Sequence, residues 1–330
     1  MINVSIIVPT RNRSQMLEMS IKSLISQNYP FLDYEIIIVD NGSHDNTKNV
    51  VEKYISTNPN HNIRYIFEPV PGLLSGRHRG AFEAKGDILI FVDDDIIAKN
   101  VWLLAIMKEF QNVNVHMVGG PCLPFFELEP PEWIFHYFNY SNNKITCGAL
   151  SILKFGVMRT KINPRFIWGL NFSIRKKTLF DLGGFHPDGM PQELIAYRGD
   201  GETGLSQKAI DKGINAMYVH EATVYHYIPK ERLTVSYFEK RFYNQGISDS
   251  YTQIRNSSNV YNSRIPKYQT DNGMNCFTTY DQYKKIIYQR IHNAYVDGFH
   301  YHQQSVKNNK VLLKWVLSEN YFNYDYKNYS

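Results

Sequence analysis

The first 120 residues alternate short apolar runs with segments of helical periodicity. Residues 4–8, 35–39, 63–67, 88–92 and 115–118 are short, rich in Ile and Val, and bounded by turn residues, which predicts strands. Between them, residues 14–27 set Met16, Met19, Ser20, Ile21, Leu24 and Ile25 near helical spacing. Residues 46–55, 74–84 and 100–110 follow as further helices. Alternation of this kind predicts an α/β fold with a largely parallel sheet and helices on both faces. Ligands of such sheets gather at the carboxyl ends of the strands.

Beyond residue 120 the pattern loosens. PCLPFFELEPPEW opens a Pro- and aromatic-rich stretch that reads as a connection over residues 121–165. A strand at about 166–174, a short helix at 178–182, a GGF turn and a helix at 202–212 come next. From residue 228 the chain reads as mainly helical, with helices at 234–243, 283–295 and 306–317 and an Asn/Ser/Tyr-rich loop at 248–275.

The strand ends carry the polar residues. The first ends in PTRNR, the second in DNGS, the third in EPVPG, and the fourth, in GDILIFVDDDII, in Asp93, Asp94 and Asp95. Adjacent aspartates repel one another, and inside a core-forming run they ask for a partner. Three carboxylates at one strand end suit a hard divalent cation, Mn²⁺ or Mg²⁺, that bridges to a diphosphate. The competing reading is a cap for a helix starting near Asn100.

Composition narrows the class. Hydrophobic residues at 43% and charged residues at 20% are ordinary for a globular chain, and 330 residues suffice for one large domain or two. The start, MINVSIIVPT, lacks the basic and apolar regions of a signal peptide, and no run approaches a membrane span. With Cys122, Cys147 and Cys276 odd in number and far apart, a cytoplasmic setting with free thiols is expected. Net charge is −1 over residues 1–227 and +6 over residues 228–330. A basic tail in a chain with 24 tyrosines suggests peripheral contact with an anionic membrane face, against the alternative of a solvated helical face over aromatic packing.

The ordered set of motifs resembles family 2 glycosyltransferases of the GT-A fold. VSIIVPTRNR, YEIIIVDNGSHDNT, PGLLSGRHRGAFEAKGDILIFVDDD, WGLNFSIRKKTLFDLGGF and GDGETGLSQKAIDKG carry the likeness over residues 1–227. The resemblance implies a nucleotide-sugar-binding half at 1–120, an acceptor and catalytic half at 121–227, and a helical, basic extension at 228–330. It implies metal-dependent, inverting transfer of a sugar from a nucleotide-diphosphate sugar to a hydroxyl of a glycan or lipid-linked acceptor; nucleic acid is not expected as a partner. Pro9, Thr10, Arg11 and Arg13 then belong to the nucleobase and ribose pocket, with Asp40 in the base-recognition position. Gly72 belongs to the PG loop, and Arg77 rather than Arg79 is the phosphate contact. Asp93 and Asp94 fall to ribose or metal, Asp95 is the main metal ligand, and His226 is a late metal or diphosphate contact. Trp168 and Asn171 fall beneath the donor sugar.

Inverting transfer needs a base for the acceptor hydroxyl. The family usually carries Glu-Asp before a helix. Here Gly201 stands at the first position and Glu202 at the second, with Asp200 upstream, so Glu202 or Asp200 is the base. Asp40 permits UDP or GDP, with UDP preferred by the resemblance. Two other classes compete: a non-catalytic nucleotide-sugar binder and a haloacid-dehalogenase-like phosphatase.

Overall fold

The computed structural model describes residues 2–142, 144–257 and 282–322. Its main sheet begins with β1 (Val4–Thr10) and β2 (Tyr34–Asp40), both buried along their whole length. Such strands are flanked on both faces, which is why they read as near-continuous Ile/Val runs. The other members are β3 (Asn62–Phe67), β4 (Ile88–Phe91), β6 (Met117–Gly119), β11 (Thr160–Lys161), β12 (Phe172–Arg175) and β13 (Ala216–Tyr218). The order is β11-β13-β6-β12-β4-β1-β2-β3, parallel from β4 through β3 and antiparallel where β12 enters between β4 and β6. In register, Thr10 pairs with Asp40 and Ile7 with Phe91, so the polar ends of β1, β2 and β4 lie side by side.

Alternating residues feed two apolar layers. Ile6 and Val8 pack with α1 (Ser14–Ile25), α2 (Thr47–Thr57) and α4 (Trp102–Phe110). Ile7, Leu89 and Phe91 pack with α3 (Leu73–Glu83), α5 (Lys176–Asp181) and α6 (Glu202–Asp211). Buried Glu35 inside the sheet accepts from Ser5 Oγ (2.7 Å), Lys85 N (2.6 Å) and Arg64 (2.9 Å), so its charge is fully partnered.

The region expected as a loop corrects that expectation. Residues 121–165 hold β7 (Cys122–Phe126), β8 (Asn139–Ser141), β9 (Lys144–Cys147) and β10 (Ile152–Phe155). With β5 (Ile96–Ala98) and β14 (Val224–Ile228) they form a second sheet, ordered β5-β14-β7-β10-β9-β8. The strand expected at 166–174 begins only at Phe172, after 3-10 turns at Pro164–Phe166 and Gly169–Asn171. These turns place Trp168 and Gly169 at the mouth of the main sheet.

In the C-terminal region, α7 (Val235–Asn256) and α8 (Gln282–Asn308) pack backbone to backbone. A Cβ on Gly246 would stand 2.1 Å from Tyr295 O, and one on Gly298 2.0 Å from Tyr243 O, so both crossings require glycine. The helix expected at 306–317 is broken at Asn309, whose side chain caps α9 (Lys310–Val316) by accepting from the backbone N–H of Val311 and Leu312. The loop expected at 248–275 is helical to Asn256, and residues 258–275 lie outside the described residues, as does Cys276. Tyr251, Val306, Trp315 and Tyr321 join the same apolar layer as Phe91 and Leu205. Among the described residues of the tail, Tyr251, Trp315 and Tyr321 are thus internal. Among the described residues no helix is long and apolar enough to cross a membrane.

Two buried imidazoles tie stability to pH. His302 shares a 2.8 Å hydrogen bond with Ser250 through Nδ1, while its Nε2 is buried without a partner. His78 Nε2 accepts from Phe185 N (3.0 Å). Burial lowers both pKa values to about 3. The unfolded chain takes up these protons first, near about pH 6.5, so their contribution is full above that pH and is lost as pH falls toward 3. Each contributes a slope of up to about 1.4 kcal/mol per pH unit. His302→Gln keeps a partner for Ser250 but does not titrate. Urea unfolding between about pH 6.5 and 4.5 should show a shallower loss of stability by about one proton; an unchanged slope would show that His302 titrates alike in both states.

Candidate active site

The loops after β1, β2 and β3 are sewn together by short side chains. Asn12 N donates to Ser43 Oγ (3.0 Å), His44 N to Asn12 Oδ1 (2.7 Å) and Ser14 N to Asp45 Oδ2 (3.0 Å). Asp40 is buried; its Oδ1 accepts from Ser43 N (2.8 Å), three residues on, and its Oδ2 from Tyr65 OH (2.8 Å). Gly72, at φ 113°, enters α3 with its N–H held by Asn41 Oδ1 (2.9 Å). Pro9 is buried under α3, and Arg11 is exposed.

The aspartate triplet divides its work. Asp94 is 3% exposed, accepting from Thr10 Oγ1 (2.7 Å) on one oxygen and from Arg13 (2.5 Å) on the other. Thr10, Arg13 and Asp94, read from the sequence as nucleotide contacts, are thus joined in a strut, with both Asp94 oxygens engaged. Burial raises the Asp94 carboxyl to about 7, with Arg13 opposing. Asp95 is 1% exposed. Its Oδ2 meets Arg13 (2.5 Å), Arg232 (3.0 Å) and His226 Nε2 (3.3 Å), while its Oδ1 is buried without a hydrogen-bond partner. Burial alone would raise Asp95; the cationic groups around it outweigh that and hold it well below the usual carboxylate range.

His226 and Arg232 fix one another. Guanidinium has only donors. Arg232 stands 2.7 Å from His226 Nε2, so that nitrogen accepts, and Nδ1–H donates to Leu150 O (2.9 Å). The Nε2 lone pair is thus taken up by Arg232, with Asp95 Oδ2 3.3 Å from the same nitrogen. Arg232 was not singled out in the sequence, although it lies six residues beyond His226 in YHYIPKERLT. Among the described residues no three His, Cys, Asp or Glu side chains converge as a ready-made metal cage.

Asp93 faces the other way, into a cleft of about 290 Å³ lined by Arg77, Trp168, Asp188, Arg198, Glu202 and Arg241 among others. Burial raises its pKa, against the opposing pull of Arg77. The Arg77 guanidinium stacks on Phe185, 4.9 Å from the ring centre, and reaches Asp93 Oδ1 at 3.7 Å and Glu202 Oε2 at 3.4 Å. A Cβ on Gly169 would come within 2.2 Å of that guanidinium, so a larger residue in the turn before β12 would displace it. Arg79, by contrast, is 44% exposed and pairs with Glu83.

The two candidate bases separate cleanly. Glu202, at the start of α6, lines the cleft and also accepts from Gly169 N (3.2 Å). Asp200 is tied up behind it: Oδ1 bonds His186 Nδ1 (2.7 Å) and Oδ2 accepts from Thr252 Oγ1 (2.7 Å), the latter on α7. Gly201 adopts φ 57° and ψ −124°, and a Cβ there would meet the Asp188 carboxylate at 3.0–3.3 Å. Asp188 thus fills the space where a side chain at position 201 would stand, paired with Arg198 at 2.6 Å. Asn171 does not face the cleft. It is 1% exposed, and its amide joins Trp102 Nε1 (2.9 Å) and Ala222 O (2.8 Å), so it holds the loop. Trp168 does line the cleft, its indole donating to Arg165 O (3.2 Å).

Residues 5–179 match the profile of Glycosyl transferase family 2. The chain is 26% identical over 219 residues to Glycosyltransferase AglE of Haloferax volcanii, covering 66% of this chain and 64% of that protein. It is 34% identical over 122 residues to the GalNAc(5)-diNAcBac-PP-undecaprenol beta-1,3-glucosyltransferase of Campylobacter jejuni, covering 36% and 38%. The matches span less than two thirds of the length of these relatives. In fold, it resembles the mannosyltransferase PcManGT from Pyrobaculum calidifontis in complex with GDP-Man and Mn²⁺, with TM-score 0.56 and 16% identity over 95% of this chain and 83% of that one. It also resembles S. aureus TarS 1–349 in complex with UDP, with TM-score 0.52 and 15% identity over 93% and 92%. The mixed sheet with helices on both faces and a helical C-terminal region is the GT-A fold with a helical extension, and the chain belongs to glycosyl transferase family 2.

Proposed function

We propose that this chain transfers a sugar from a nucleotide-diphosphate sugar to an acceptor hydroxyl with inversion, and that Glu202 is the base. The observation that carries this reading is the position of Glu202 across a single guanidinium from Asp93, at the wall of the cleft. Inversion is a direct displacement, so donor and acceptor must meet in one space with a carboxylate on the acceptor side. A carboxylate is too weak to deprotonate an alcohol outright, so proton transfer must accompany attack. Gly169 N–H and Arg77 orient Glu202 for that role. Asp200 serves as a strut that joins α6 to α7, and Asp188 stands in the cleft beside Asp93 and Glu202.

On the donor side, Asp95 and His226 suit a Mn²⁺ or Mg²⁺ ion. The unpartnered Asp95 Oδ1 is the oxygen donor expected for a cation that takes other ligands from diphosphate and water, and His226 Nε2 would join it once Arg232 gives up its hydrogen bond there. Bound there, such an ion would offset charge on the departing nucleoside diphosphate. Arg13 and Arg232 already balance the carboxylates, and Arg77 is placed between donor and base. Asp40 and the Gly72 loop would hold the nucleobase and ribose, Trp168 the sugar. UDP is the first choice of nucleotide and GDP its competitor; the bound ligands of the two solved relatives include one of each. In this reading residues 1–120 serve the donor, residues 121–227 the acceptor, and residues 228–330 brace the base. The acceptor is a glycan or lipid-linked glycan, in keeping with the name of the Campylobacter relative.

Two substitutions test the reading. Glu202→Gln should bind nucleotide sugar normally and lose about 10²–10⁴ in turnover, the usual contribution of a positioned base. Asp200→Asn should lose less, chiefly through destabilisation. The reverse ranking would move the base to Asp200. Asp95→Ala should abolish metal-dependent binding of UDP or GDP while the far-UV spectrum stays native; undiminished affinity with metal present would remove the cation from this site.

A further inference from the structure

The cleft beside Glu202 carries more positive charge than its carboxylates balance. Four guanidinium groups, of Arg77, Arg165, Arg198 and Arg241, line it with three carboxylates, of Asp93, Asp188 and Glu202. Arg77 takes Asp93 and Glu202, and Arg198 takes Asp188. Arg165 and Arg241 are left over. Among the described residues neither has a carboxylate within 4.0 Å. Arg165 donates only to the amide oxygen of Gln207. Arg241 makes two long contacts, to Gln245 Oε1 (3.3 Å) and Gly148 O (3.4 Å). Behind them, Arg198 Nε is buried without a hydrogen-bond partner.

We infer that this part of the cleft is an anion subsite for the acceptor, in which Arg165, Arg241 and Arg198 hold a phosphate or carboxylate close to the hydroxyl that Glu202 activates. This inference rests on the reading of Glu202 as the acceptor-side base. The donor's own diphosphate is assigned to Asp95, His226 and Arg77, which leaves Arg165 and Arg241 without a donor-side role. Arg241 also lines an adjoining cavity of about 110 Å³ toward α7, but Asp188, Asp200, Glu202 and Asp249 line it too, so the anion's place is the cleft and not that cavity. Planar guanidinium forks match the oxygens of phosphate and carboxylate, and they bind far better in a cleft than in open water. Asp188 and Asp249 draw on Arg241 only from beyond 4.0 Å, so an uncharged acceptor would leave both arginines without a direct ionic partner.

The test uses the full chain with UDP and Mn²⁺ saturating, so that added anions meet a filled donor side. Glucose 6-phosphate, glucuronate and neutral glucose are titrated by calorimetry against wild type and the Arg165→Gln/Arg241→Gln double variant. At least one anionic sugar should bind wild type about tenfold more tightly than glucose, and the double variant should lose about that factor. Its UDP affinity should be unchanged. Preference for glucose 6-phosphate assigns a phosphate-bearing acceptor; preference for glucuronate assigns a uronic-acid-bearing one. Glucose binding as tightly as both anions, or anion binding indifferent to the substitutions, would overturn the subsite. Failure of the wild type to bind UDP or GDP at all would instead count against the donor reading, since the glucose 6-phosphate and glucuronate titrations read the arginines independently.

Discussion

One buried guanidinium holds the two halves of this site in register. Arg77 comes from α3, rests on Phe185, and is shared by Asp93 at the end of β4 and Glu202 at the start of α6. A charge this deep is tolerable only with its partners in place, and breaking such an arrangement typically costs about 3–5 kcal/mol. The surrounding sequence follows from that need. Gly169 leaves the room the guanidinium occupies, and the same residue's N–H holds the other oxygen of Glu202. The α6 helix start is in turn fixed by Gly201, whose conformation and lack of a side chain admit Asp188.

Around this bridge the remaining charges are sorted by function. The carboxylates that face inward as struts are saturated: Asp94 by Thr10 and Arg13, Asp200 by His186 and Thr252. Asp95 and Glu202 instead keep an oxygen free or loosely held, Asp95 through Oδ1 and Glu202 through its long contacts. The C-terminal helices belong to this arrangement through α7, where Thr252 holds Asp200 and Arg241 lines the cleft beside Glu202.

Much of this was legible in the sequence, for identifiable reasons. Strands β1, β2 and β4 are buried on both faces, so their Ile/Val runs and polar ends were plain, and the motif order gave the family. The second sheet was not legible. Its strands are short, β7 contains Pro124, and their pairing joins distant segments such as β5 and β14. Side-chain direction was also hidden. Asp94, Asp200 and Asn171 have the right chemistry for the site but point into the framework, while Glu202 and Asp93 point into the cleft. Arg232, Arg165, Arg241 and Asp188 carried no motif signal, because their roles arise from neighbours far along the chain.

The claim on which the account turns is that Arg77 couples Asp93 to Glu202 physically, and it is measurable without any substrate. A double-mutant cycle of Arg77→Met and Glu202→Gln, read by urea unfolding of the free protein, isolates their interaction. The account predicts a coupling of about 0.5–3 kcal/mol, with the double variant less destabilised than the sum of the single ones. Additivity within about 0.3–0.5 kcal/mol would contradict it and leave Glu202 and Arg77 as independent neighbours.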